Sequence, residues 1–225
     1  MIRNPTHHPD REMLLDYADG SLGEPAALVV ATHLAFCPGC RQQVADLEAI
    51  GGAFLEEEEP FPVSADCLPG LLARLDEPAG AAAAPLPGAA RRSEAADLTY
   101  LPEPLRSYIG MPLSALPWQP LLEGIDEVDL GVGRPPMRTR LIRVAAGTVF
   151  PRHGHTGMEL NLVLAGGYHD PRGSFQRGDV VVDDPSINHS PVADLRESCV
   201  CLSVTDAPLC LVEGPACFLK PSIRS

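Results

Sequence analysis

A chain of 225 residues, 45% hydrophobic and with a formal net charge of −13, has the apolar material and the length for one large domain or two small ones. Its pI near 4.8 and single lysine, Lys220, argue against direct contact with nucleic acid, where clustered cations must neutralise phosphates, and favour a basic partner. No apolar run approaches a membrane span, residues 1–10 lack the apolar stretch of a signal peptide, and seven cysteines, an odd number, fit a reducing compartment, so a soluble cytoplasmic protein is expected.

Residues 1–75 are expected to form about four helices. Pro9 and Asp10 precede an apolar stripe at helical spacing, Met13, Leu14 and Tyr17, which Gly20 stops. A second helix starts near Glu24 and Pro25, where a missing N–H does no harm, and carries Leu28, Ala31 and His33. The third begins between Cys37 and Arg41 and repeats Val44, Leu47, Ile50 and Phe54 along one face. Ser64 caps a short fourth helix with Cys67, Leu68, Leu71, Leu72 and Leu75. These helices carry more apolar surface than one small bundle needs, so the fourth is either core or a partner-binding face. The segment is also where the acidity sits: four Arg and no Lys against twelve acids give it a net charge of −8, and Glu56 to Glu59 is an unbroken acidic run.

Ala31 to Arg41 is the chemical centre of this segment. His33 and Cys37, four apart, share a helix face, and Cys37 and Cys40 flank Pro38-Gly39 in a tight turn. Three soft or borderline ligands within eight residues suit zinc, which takes Cys sulfur and His nitrogen tetrahedrally. A redox pair is the alternative, but the strand and helix context of such motifs is absent. A fourth ligand is offered by His7 or His8 and by Cys67, with His8 preferred. Bound zinc would contribute roughly 10 to 16 kcal/mol to folding a unit this small.

His8, Leu14, Tyr17, Ala18 and Gly20, followed by Val29 to His33 and the Cys-x-x-Cys, resemble the zinc-binding anti-sigma domain of ChrR-type regulators. The resemblance implies His8, His33, Cys37 and Cys40 as zinc ligands. It also implies a domain that wraps around an extracytoplasmic-function sigma factor and keeps it off core RNA polymerase.

Residues 76–98, with Pro78, Gly80, four consecutive alanines, Pro85 and Pro87, are too poor in bulky apolar groups to bury themselves and read as a flexible linker. Beyond it, 99–225 forms the second domain. Tyr100 to Gly110 can hold one short helix, and the pattern then switches to short strands: Arg138 to Val144, Leu160 to Leu164, Val180 to Val182 and Cys199 to Val204, separated by Gly, Pro and Asp. Such spacing suggests a small β-barrel or jelly roll, making the whole an α+β multidomain chain.

Within the barrel, Gly147, His153, His155, Glu159 and Gly166 are separated by five, one, three and six residues. His153 and His155, two apart on an extended segment, point to one face. Glu159 opens the next strand, and His189 returns as a third imidazole. Three nitrogens and an oxygen suit Zn or another divalent transition metal, including Fe(II), Mn, Ni or Cu. This stretch resembles the first cupin motif at every defined position. The second motif matches more loosely: Gly178 and His189 stand at the expected distance, Pro185 is displaced by one, and the following Gly and the terminal Asn are missing.

A cupin preceded by a zinc-bound helical bundle is the architecture of ChrR-like anti-sigma factors. The resemblance implies a non-enzymatic regulator that releases its sigma factor on an oxidative signal, singlet oxygen or organic peroxides, sensed by the cupin. Cys199 and Cys201, on one strand face, are possible redox sensors, their backbones roughly 6 to 7 Å apart and too far for an unstrained disulfide; the bland reading is core cysteine. Cys210 and Cys217 read as structural. The rival class is an Fe(II) dioxygenase-like cupin enzyme with a zinc-binding regulatory domain, against which stands the lack of an evident general acid or base beyond the ligands. A purely structural barrel is the third reading, disfavoured by intact ligands.

Overall fold

A computed structural model describes residues 4–75 and 101–211; the expected linker, Tyr100 and Cys217 lie outside them. Four helices occupy the first segment: α1 (Arg11–Ala18), α2 (Glu24–Phe36), α3 (Pro38–Glu57) and α4 (Cys67–Leu75). Asp10 caps α1 by accepting the Met13 N–H at 2.7 Å. None of the four is long and apolar enough to cross a membrane, nor is any other described helix.

The second segment opens with α5 (Glu103–Ile109) and a single 3-10 turn, then runs through twelve strands. They are β1 (Gln119–Leu122), β2 (Ile125–Asp129), β3 (Arg138–Val144), β4 (His153–His155), β5 (Glu159–Ala165), β6 (Gly167–Asp170), β7 (Gly173–Gln176), β8 (Val180–Asp183), β9 (Asn188–His189), β10 (Val192–Ala193), β11 (Cys199–Thr205) and β12 (Leu209–Leu211). A six-stranded sheet, in the order β1-β2-β3-β11-β5-β8, is joined by two three-stranded sheets, β10-β6-β7 and β12-β4-β9. The strands expected from sequence all appear, and the antiparallel pairing is that of a β-barrel.

Strand alternation decides which side chains reach the barrel interior. On β5, Leu160, Leu162 and Leu164 face outward, while Glu159, Asn161 and Val163 face in. On β11, Val200, Leu202 and Val204 face outward, leaving Cys199, Cys201 and Ser203 on the inner side. An apolar outer face needs a cover, and the helices supply it. Leu28 and Val29 of α2, with Leu105 and Ile109 of α5, join those outward residues in one core. Val30, the next residue on α2, packs the other way, with Leu14, Val44, Cys37 and Cys40 in the small core of the bundle. A helix apolar on all sides is thus buried on two, and the halves share a continuous core.

Both ends of α2 rest on barrel glycines with positive φ. A Cβ at Gly133 (φ +93) would sit 2.7 Å from Pro25 Cγ, and one at Gly178 (φ +93) 2.8 Å from Pro5 Cγ and 3.0 Å from Phe36 Cβ. Only glycine combines that backbone with so close an approach.

Two candidate metal centres

The way one helix ends and the next begins builds the first cluster. His33 lies in the last turn of α2, Cys37 both ends α2 and opens α3, and Cys40 lies in the first turn of α3. The Cys37 sulfur accepts the Cys40 backbone N–H at 3.4 Å, the part a Ser or Asp oxygen plays at other helix starts. His8 reaches in from the segment before α1, its Nδ1 3.5 Å from each sulfur, and His33 Nε2 stands 3.3 Å from Cys40 Sγ. The four donor atoms lie within 4.8 Å of one another. His7 turns instead to the barrel, where its Nδ1 is 3.4 Å from an Asp179 oxygen. Cys67 is exposed on α4 and belongs to no such cluster among the described residues.

The donor chemistry fits a tetrahedral ion. His33 Nδ1–H donates to the Gly178 carbonyl at 2.7 Å, which leaves the Nε2 lone pair directed at the cluster. Burial, reinforced by the adjacent Cys37, pushes the Cys40 thiol up to about 12. Such a thiol ionises readily only when a cation compensates it. Two sulfurs and two imidazoles are a zinc donor set.

The second cluster sits where β4, β5 and β9 meet. β4 pairs with β9 so that His153 stands opposite His189, and the two-residue period sends His155 the same way as His153. His189 Nε2 is 3.0 Å from His153 Nε2 and 3.4 Å from His155 Nε2. His153 Nδ1–H donates to the Pro151 carbonyl at 2.9 Å, and His189 Nδ1–H to Asp170 Oδ2 at 2.8 Å. Each outward bond fixes a tautomer and leaves an inward lone pair. Burial pulls His153 down to about 4 and holds His155 below its ordinary range, so both rings are neutral at pH 7. Three converging imidazoles, His153 and His155 among them held neutral, suit a divalent transition metal.

Glu159 stands to one side of the three imidazoles. Its Oε2 is 3.4 Å from His155 Nδ1, its Oε1 accepts the Ser203 hydroxyl at 2.8 Å, and it clusters with His155 and Asp183. His155 Nδ1 and Asp183 Oδ2 are buried without hydrogen-bond partners among the described residues. The structure therefore brings His153, His155 and His189 to one point, with Glu159 joined through His155.

Three participants escaped the sequence reading. Asp183 faces Glu159 in the β5–β8 register, a position that continuing the alternation of Val180 to Val182 by one residue would have exposed. Asp170 and Arg172 look in sequence like an ordinary Asp-Pro-Arg-Gly turn. In the fold, Arg172 bonds both Asp170 and Asp183 and approaches His189 Nδ1 to 3.0 Å.

The thiols of Cys199 and Cys201 face the barrel interior, their sulfurs only 3.6 Å apart. The side chains lean together, which the backbone spacing alone did not convey. A cavity of about 70 Å³ is lined by both thiols and by His153, Glu159, His189 and Tyr168. The bond to Cys199, together with burial, holds the Cys201 thiol well above its usual range. Cys210 on β12 is disulfide-bonded, a departure from a wholly reduced set of thiols.

Comparison with known proteins finds likenesses that cover both segments. The family described as "ChrR Cupin-like domain" matches residues 107–207 and the one described as "Putative zinc-finger" matches residues 10–41. The anti-sigma-E factor ChrR of Cereibacter sphaeroides is 37% identical over 203 residues, covering 90% of this chain and 91% of that one. A crystal structure of Rhodobacter sphaeroides SigE in complex with the anti-sigma ChrR superposes with a TM-score of 0.74 at 35% identity, covering 90% of this chain and all of that one.

Proposed function

Because this chain belongs to the ChrR family of anti-sigma factors, we propose that it holds an extracytoplasmic-function sigma factor inactive in the cytoplasm and releases it on an oxidative signal, singlet oxygen or an organic peroxide, received by the barrel. The observation that carries the reading is a set of large apolar side chains on α3 and α4 that are left exposed among the described residues. Ile50, Phe54 and Leu55 on α3, and Leu68, Leu71, Leu72 and Leu75 on α4, are all more than half exposed. Large apolar side chains left exposed on two successive helices point to a protein interface. The acidic run Glu56 to Glu59 spans the end of α3 and the residues just after it, and suits the basic, nucleic-acid-facing surface of a sigma factor.

We assign His8, His33, Cys37 and Cys40 to a structural zinc in a capturing unit, 1–75, and His153, His155, Glu159 and His189 to Zn or another divalent transition metal in a sensing unit, 99–225, with 76–98 as the connector. Zinc bound in the first set supplies a redox-inert crosslink among segments that share only a small core. In the barrel, Asp170 and the Pro151 carbonyl orient the imidazoles, and the apolar cavity beside them admits a small uncharged oxidant to Glu159, Cys199 and Cys201. The role is regulatory rather than catalytic. Oxidation must change the relative stability of the sigma-bound and free arrangements, because a signal equal in both shifts nothing.

Co-purification of the full chain with its cognate sigma factor, before and after zinc chelation, tests the capture. Binding is expected to disappear with the metal. Undiminished binding by the chelated protein would overturn the zinc assignment, and a wild-type chain that never retains sigma would overturn the capture itself.

A further inference from the structure

The barrel supplies the outer support of the zinc cluster through one turn, Gln176 to Val180. Its contacts run to both arms of that cluster. On the α2 side, the Gly178 carbonyl accepts His33 Nδ1–H at 2.7 Å, and the guanidinium of Arg177 lies 4.7 Å from the ring centre of Phe36, the residue before Cys37. On the other side, Asp179 Oδ1 accepts the backbone N–H groups of Thr6 at 2.6 Å and His7 at 3.0 Å. The Val180 N–H then donates to the His7 carbonyl at 3.1 Å. Thr6 and His7 are the two residues before the donor His8, which has no helix or strand of its own to hold it. Asp179 is itself 2% exposed and anchored to its turn by the Gln176 N–H at 2.8 Å.

We infer that the β7–β8 turn of the barrel holds the zinc cluster in register, Asp179 being a positioning residue for His8 and the Gly178 carbonyl one for His33. The inference rests on reading His8, His33, Cys37 and Cys40 as zinc ligands, and it adds the route by which the two halves act on each other. No change in the connector is needed. A displacement of this turn withdraws the carbonyl that fixes the His33 tautomer and frees the segment that delivers His8. The effect is reciprocal by thermodynamic linkage: loss of zinc must loosen the turn by the same coupling. The same turn runs directly into β8, whose last residue, Asp183, reaches the barrel cluster through His155 and Glu159. One short strand therefore has the capturing unit's cluster at its start and the sensing unit's cluster at its end.

The test uses the full chain loaded with cobalt, whose thiolate absorption reports only a site containing cysteine ligands, and measures cobalt loss to a chelator. Removing an orienting partner of a metal ligand typically weakens metal affinity about ten- to a hundredfold, so Asp179→Ala is expected to weaken cobalt retention by that factor. Asp179→Asn, which keeps an oxygen for Thr6 and His7 but loses the one that accepts the Gln176 N–H, is expected to retain cobalt better than Asp179→Ala. Gly133→Ala, which strains the opposite end of α2, is expected to leave retention unchanged. Should Asp179→Ala fail to fold, Gly178→Ala takes its place, since its Cβ would push on Pro5 and Phe36. In the unaltered chain, stripping the metal is expected to speed amide exchange at Val180. Retention unchanged in the folded Asp179→Ala or Gly178→Ala variant, an equal loss in Gly133→Ala, or a Val180 amide indifferent to the metal would overturn the inference. A wild-type chain with no thiolate absorption would instead overturn the ligand assignment on which it stands.

Discussion

Asp170 is the residue on which the third imidazole of the barrel depends. It is buried, which by itself raises a carboxyl, but bonds from Arg172 and His189 outweigh burial and keep it ionised. Its Oδ2 fixes His189 with Nδ1 protonated and Nε2 free. Asp170→Ala is expected to lower the barrel's affinity for a divalent metal about ten- to a hundredfold, measured by competition with a chelating indicator, with the N-terminal cluster unaffected. Asp179 sets a second expectation, for pH. Burial raises it too, yet the N–H groups of Gln176, His7 and Thr6, with His7 Nδ1 beside them, hold its carboxyl below the ordinary range. A depressed carboxyl contributes stability that is present above the unfolded-state value and is lost as the pH falls through the folded one. The contact between the halves should therefore weaken below about pH 4. Thermal unfolding followed from pH 6 downward should show a shallower acid loss in Asp179→Asn than in the unaltered chain.

Among the elements, α3 divides along its length. Cys40 and Val44 near its start are buried, whereas Ile50 and Phe54, on the continuation of the same stripe, are exposed. The sequence repeats one pattern, and the fold covers only its first half. α4 has no buried residue at all, which settles its leucines as surface rather than core. Phe54→Asp and Leu71→Asp are expected to weaken binding to the sigma factor at least tenfold, as loss of central apolar anchors commonly does. Both should change stability by no more than about 0.5 kcal/mol, the usual range for substitutions on open surface. Titration by surface resonance together with a melting curve checks both halves of this statement.

At the scale of the molecule, the shared core makes the two halves one folding unit. Leu28 and Val29 of α2 lie against Leu160, Leu162, Val200 and Leu202 of the six-stranded sheet, so neither half buries its apolar face alone. Leu162→Ala, at a position with no exposure, is expected to cost about 2 to 5 kcal/mol. Calorimetry should show one transition moving as a whole, with helical and sheet signals falling together. Two separate transitions, only one of them displaced by the substitution, would contradict the shared core.

Both donor clusters were legible in the sequence because their ligands are local: His33, Cys37 and Cys40 fall within eight residues, and His153, His155 and Glu159 within seven. Helical and strand periodicity then dictates which of these side chains share a face. The strands of the large sheet were legible for the same reason, as runs of β-branched and apolar residues between turns. The preference for His8 over His7 came from the resemblance, and its physical reason is tertiary: Asp179, more than 170 residues further along the chain, takes His7 and leaves His8 to the cluster. Asp170 and Arg172, which look locally like an ordinary turn, were likewise decided by the fold, whereas Asp183 lay one step beyond a strand alternation that was read too short. The contact between the halves is of the same kind. The surplus of apolar surface on the helices was visible in the sequence, but only the fold shows that α2 is buried on two sides, the second against the back of the barrel, and that a carbonyl there completes the setting of His33.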